Sequence, residues 1–181
     1  MKNLLKGPSE DMTPVDDNKF LPRLLAMLYE AAPEATWSPP PWTPLPGPLS
    51  TCKFGLVTTA GLYDRANDPP FDLETEKQKP NWGDPSYRAI PVNISPDQVG
   101  VSHLHINPRW ILEDINVILP IHRFQEFVAE GVIGGLAKQA YSFMGYQGFP
   151  ANTQAWEQTY APQLAERLLD EAVQCVLLTP S

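Results

Sequence analysis

Cysteine is scarce in this sequence: two residues in 181, Cys52 and Cys175. Both fall inside expected strands, so they build no disulfide framework and suit a reducing compartment, and a cytoplasmic setting is expected. Basic charge is short as well. Thirteen Lys and Arg stand against 21 Asp and Glu, a net charge of −8. That balance argues against nucleic acid and anionic membrane surfaces as partners, since both attract basic patches. No apolar run approaches the roughly 20 residues of a membrane-spanning helix. The start, MKNLLKGPSEDM, is too poor in apolar residues for a secretory signal. A GxSxG elbow is missing, so Ser102, His103 and Asp114 make a poor hydrolase triad. EGVIGGLA is glycine-rich but has no GxGxxG after a strand, which excludes a dinucleotide fingerprint.

Proline, by contrast, is abundant, at 21 residues against 11 glycines. The stretch WSPPPWTPLPGPLS, ending at Ser50, cannot be helical and favours extended backbone. It reads as a stiff strap pinned by Trp37 and Trp42 rather than as a ligand for a proline-binding module. Before it, Asp16 or Asp17 is placed to cap a helix over Asn18–Ala32. Residues 1–47 therefore read as an N-terminal helix and strap, and 48–181 as the main domain. There, CKFGLVTTAG gives a strand over Lys53–Thr59, QVGVSHLHI one over Val99–Ile106, and DINVILP a short extended piece. IHRFQEFVAEG is a helix ending at Gly131, AKQAYSFMGY a strand reaching Met144, and a last helix starts at Pro162. Val173–Leu178 is a closing strand. The segment from Tyr63 to Asp97 has no clear period and reads as a functional loop or lid. The fold expected is α/β: a mainly parallel sheet flanked by helices in a three-layer sandwich, with the proline-rich strap N-terminal to it. Ligands of such sheets bind beyond the carboxyl ends of the strands, which selects Thr58–Gly61, His103–Asn107, Phe143–Tyr146 and Thr179–Ser181.

SHLHIN is the sharpest local pattern. On a strand His103, His105 and Asn107 would alternate onto one face, with Asp114 as a nearby carboxylate. A metal needs three or four ligands, and the third histidine, His122, falls on a helix, so no metal site is expected. Thr58 and Thr59 offer hydroxyls and free N–H groups at a strand end, which suits a carboxylate or makes an ordinary turn. In GDPSYR, Asp84 and Arg88 form either a clamp for a charged substrate or a surface ion pair. Cys175 reads as a small core residue.

The ordered set PLSTCKFGLVTTAGLY, PPFD, GDPSYR, VSHLHIN, DINVILPIHRFQEFVAEGVIG, YSFMG and VLLTP resembles the selenoprotein B family of glycine, sarcosine, betaine and D-proline reductases. The resemblance runs from about Pro48 to Ser181. It implies an oxidoreductase component that recognises a small amino acid or N-substituted glycine and takes part in reductive C–N cleavage. It also implies partners: other reductase subunits or a thiol reductant. His103, His105 and Asp114 would serve catalysis, with Thr58, Thr59, Asp84, Arg88, Asn107, Thr179 and Ser181 binding substrate. Family members carry a selenocysteine or cysteine just after a strand like VLLTP, so that residue is expected after Ser181, and no other cofactor is expected in this chain. The sequence stops there, as a chain truncated at a UGA codon, a fragment, or a paralogue without the redox residue would. Where relatives tend to carry aspartate this chain has Asn107, and an amide neither gives nor takes a proton near neutral pH. Two other readings stay open: a non-redox enzyme using His103 and His105 for metal-assisted or acid–base chemistry, and a non-catalytic binding subunit.

Overall fold

The computed structural model describes residues 43–181, together with Met27. The helix expected over Asn18–Ala32 and most of the strap lie outside the described residues. The unit Pro44–Ser181 is built on strand β1, Lys53–Thr58. Gly55 to Thr58 are all buried, as an apolar strand covered on both faces should be. On one side β1 pairs in parallel with β7, Cys175–Thr179, in register from Phe54↔Cys175 to Thr58↔Thr179. On the other it meets β5, Gly135–Leu136, at its start and β6, Gln139–Phe143, at its end, both parallel. The paired positions run Phe54↔Leu136 and then Val57↔Tyr141, so three steps on β1 face five on its neighbour. β5 and β6 are thus one strand interrupted by a two-residue bulge. β3, Tyr87–Pro91, closes that edge antiparallel to β6. A separate ribbon pairs β2, Leu62–Asp64, with β4, Val99–Val101.

The sheet is covered on both faces, as expected for a three-layer α/β fold. Leu56, Ile90 and Ala140 pack with Leu62 and Val99 of the ribbon and with Ile111, Ile115 and Ile121. Those last three belong to helix α2, Arg109–Glu113, the turn after it, and helix α3, Ile121–Ala129. On the opposite face Val57, Tyr141 and Phe143 pack against Leu164 and Leu168 of helix α4, Ala161–Asp170. An open apolar groove of 490 Å³ runs between α4 and β7, lined among others by Trp156, Leu164, Val176 and Leu178. No described helix is long and apolar enough to cross a membrane.

Four local expectations need correcting. The segment 63–97 is not structureless: it holds most of β2, helix α1 (Leu73–Gln78) and β3. α1 starts where the Asp72 carboxylate accepts the Thr75 N–H at 2.9 Å. DINVILP is not extended, because Asp114 accepts the Asn116 N–H at 2.9 Å and winds Ile115–Val117 into a 3₁₀ turn. The last helix does not begin at Pro162 but continues from a π-helical turn over Trp156–Tyr160. And β4 ends at Val101 rather than reaching Ile106. Ser102 is drawn away, its N–H to the Gly61 carbonyl at 2.8 Å and its hydroxyl to the Phe71 carbonyl at 3.1 Å.

Candidate functional site

The carboxyl ends of β1, β6 and β7 meet at one rim. Thr58 donates its hydroxyl to the Thr179 carbonyl at 3.0 Å, and the Thr59 N–H reaches the same carbonyl at 3.3 Å. The Thr59 hydroxyl oxygen accepts the Ser181 N–H at 2.8 Å, while the Thr179 hydroxyl donates to the Ile118 carbonyl at 2.6 Å. Thr58, Thr59, Thr179 and Ser181 are therefore brought together, but largely by bonding one another. Gly145, just past β6, donates to the Thr59 carbonyl at 2.8 Å. Gly61 has φ of +66°, and a Cβ there would lie 2.4 Å from the Ser102 carbonyl oxygen. Only glycine lets the backbone carrying the histidines come this close.

His103 and His105 follow directly. They do not share a face through strand pleating. The bend after Ser102 turns the His105 N–H back onto His103 Nδ1 at 3.1 Å, and the rings stand edge to face, centroids 5.9 Å apart. His105 lies on Tyr146, with centroids 4.3 Å apart and ring planes at 35°. Its Nε2 is 2.9 Å from Oε1 of Glu76, a residue 4% exposed on α1. Burial raises the Glu76 carboxyl above its usual range, while the hydrogen bond to His105 pulls it back. Burial, aided by the neighbouring His105, pushes His103 down to about 4, so its ring is neutral at pH 7. Three buried side-chain polar atoms among the described residues have no partner: Glu76 Oε2, His103 Nε2 and Trp156 Nε1. Two of the three belong to this cluster. Buried polar groups are rarely left unpaired, and where they are, a functional use is a common reason.

Sequence reasoning missed Glu76. In LETEKQK it looks like one charge of a solvated face; the Asp72 cap three residues before Thr75 was the available sign of a helix. The other expected site residues are placed elsewhere. Arg88 is 9% exposed and makes four hydrogen bonds, Nε to Pro69 O at 2.9 Å, Nη1 to Ser86 Oγ and Tyr87 O, and Nη2 to Pro70 O, with an ion pair to Asp84 at 3.6 Å. It also lies over the Phe71 ring at 4.2 Å. Asp84 is tied to Arg88, Ser86 and the Asp72 N–H. In this arrangement the pair locks the DPPFD loop. Asn107 accepts the Arg109 N–H at 3.0 Å at the start of α2. Asp114 is bonded through Asn116 to His122, and those Asn116 bonds hold its carboxyl below the usual range.

Cys52 precedes β1 and Cys175 opens β7, at the amino ends of parallel strands and so opposite the rim. Cys175 and Thr179 are four residue steps apart on β7, about 13 Å along the strand. Burial first and Cys52 second push the Cys175 thiol up, away from reactivity. No group of three or more His, Cys, Asp or Glu among the described residues is placed to hold a metal ion.

Comparison with known proteins adds two findings. The sequence profile of the glycine/sarcosine/betaine reductase selenoprotein B family matches residues 40–181. D-proline reductase subunit gamma from Acetoanaerobium sticklandii is 34% identical over 141 residues, covering 78% of this chain and 53% of that protein. The chain thus spans about half the length of this curated relative. No solved structure matches significantly. With the family profile matching most of its length and a relative 34% identical over 78% of it, the chain belongs to the glycine/sarcosine/betaine reductase selenoprotein B family.

Proposed function

We propose that this chain is the substrate-recognising part of a reductase that cleaves the C–N bond of a small amino acid or N-substituted glycine. The observation that supports this reading best is the cluster of His103, His105 and Glu76, with two unpartnered buried polar atoms, at the carboxyl rim of the sheet. In the reaction, a selenolate or thiolate bonds to the α-carbon as the C–N bond breaks, and the electron pair leaves with the nitrogen as neutral amine. A second thiolate then takes the selenium or sulfur, and the α-carbon gains a proton. The substrate is reduced by two electrons, and the two chalcogen groups are oxidised to a mixed bond. Neither Cys52 nor Cys175 is at the rim, so the nucleophile comes from polypeptide other than these 181 residues, a further subunit or segment. The histidines hold the substrate in place.

Titration calorimetry of the full chain with D-proline, glycine and N-methylglycine tests this. Binding of at least one, weakened tenfold or more by His103→Ala, is expected, along with no turnover when dithiothreitol is the sole reductant. Turnover under that condition would place the nucleophile in the chain, and no binding at all would sink the proposal. The Glu76–His105 hydrogen bond favours one second reading, a non-redox acid–base enzyme, which predicts substrate conversion without any thiol.

A further inference from the structure

His103 Nδ1 accepts the His105 backbone N–H at 3.1 Å. A neutral imidazole that accepts at Nδ1 carries its proton on Nε2, so His103 Nε2–H is a donor. That donor is buried and has no partner among the described residues. His105 is set in the complementary sense. Its Nε2 faces Glu76 Oε1 at 2.9 Å, and an ionised carboxylate can only accept. The ring proton therefore sits on Nε2, leaving a lone pair on Nδ1 of a half-exposed ring, to which no hydrogen bond is made among the described residues. Behind the ring, Glu76 is 4% exposed, so its charge is poorly screened by solvent. Through its hydrogen bond to Nε2, Glu76 acts on the ring as a positioning residue. Tyr146, stacked at 4.3 Å, holds the ring plane.

One bend of backbone thus presents an unused donor and an unused acceptor with a negative charge behind it. We infer that these two groups recognise a zwitterion: His103 Nε2–H takes a carboxylate oxygen, and His105 Nδ1, backed by Glu76, takes an N–H of the ammonium group. The inference rests on the substrate site proposed above and specifies what that site selects. Amino acids whose nitrogen keeps a proton fit. A quaternary nitrogen has no N–H to offer and would desolvate Nδ1 without replacing the lost hydrogen bond. Sites built to hydrogen-bond a substrate group discriminate strongly against analogues lacking it, because their own polar atoms are stranded.

Two measurements on the full chain test this. Nitrogen-15 histidine NMR at pH 8 reads the tautomers directly. Both rings are expected as Nε2–H. His105 should stay so in Glu76→Gln, whose amide oxygen still accepts, and shift to a mixture in Glu76→Leu. Calorimetry then compares N-methylglycine with N,N,N-trimethylglycine. The wild type is expected to prefer N-methylglycine at least tenfold, and Glu76→Gln to lose that preference by weakening N-methylglycine alone, with the His103 resonances unchanged. Equal binding of the two probes, or a proton on His105 Nδ1 in the wild type, overturns the inference and leaves small-amino-acid binding standing. Binding of neither probe overturns it together with the proposed substrate site.

Discussion

Arg88 illustrates how a residue's chemistry is decided by what its neighbours leave free. A guanidinium beside an aspartate in a loop reads equally as a substrate clamp or an ion pair, and the sequence held both open. With four hydrogen bonds made and Phe71 beneath it, Arg88 instead ties Pro69 and Pro70 to the end of β3. Arg88→Met should then cost about 3 kcal/mol, since it takes the cation from the partly buried Asp84 carboxylate and a donor from three carbonyls. A urea midpoint shift measures it; an unchanged midpoint would return Arg88 to the substrate. His103 makes a different prediction. Its ring, lowered to about 4 against an ordinary value near 6.5, takes up its proton more readily in the unfolded chain. The stability this neutral ring contributes is full above pH 6.5 and declines as pH falls towards 4. Urea midpoints across that window should drop more steeply in the wild type than in His103→Gln. Parallel slopes would mean the ring titrates normally.

At the level of elements, legibility followed length and apolarity. β1, β6, β7 and α3 each carry several apolar residues in a short stretch of sequence, and they lie where the sequence put them to within a residue or two. The elements of 63–97 do not. β2 is three residues long, α1 is six with Glu76 as its one buried residue, and β3 sets Arg88 among its five and ends on Pro91, so neither a period nor an apolar run emerges. The SHLHIN pattern, expected to be a strand, is a bend instead. Its two histidines meet because a backbone N–H turns onto an imidazole, a tertiary consequence of Gly61 and Phe71 holding Ser102 that no local propensity encodes. α4 is the clearest energetic test among the elements. Leu164 and Leu168 are its buried residues against Val57, Tyr141 and Phe143. Leu168→Ala should cost about 2–5 kcal/mol by circular dichroism melts or denaturant titration, with the rim's ligand binding retained. If binding fell in parallel at a temperature where the variant is fully folded, α4 would have to reach the rim.

Across the whole Pro44–Ser181 unit, the two long edges of the sheet are unlike. On one, β3 runs antiparallel to β6; on the other, β7 is paired only to β1, and Leu178 is 68% exposed over the apolar groove. The family profile and the half-length match set the chain among reductase proteins, and the resemblance read from its motifs pointed there too. What the motifs could not supply was Glu76, since its role depends on a short helix folding back under a loop 29 residues further on. The approach of Gly61 to Ser102 carries a last consequence. A carbonyl oxygen occupies space that a single methyl group would fill, 2.4 Å from the ideal Cβ position. The height of the imidazoles above the sheet is therefore calibrated by an atom that is not there. Gly61→Ala should leave every named side chain in place chemically yet lift His103 and His105 together off the strand ends. Misalignment of the pair, rather than loss of any group from it, would be the lesion.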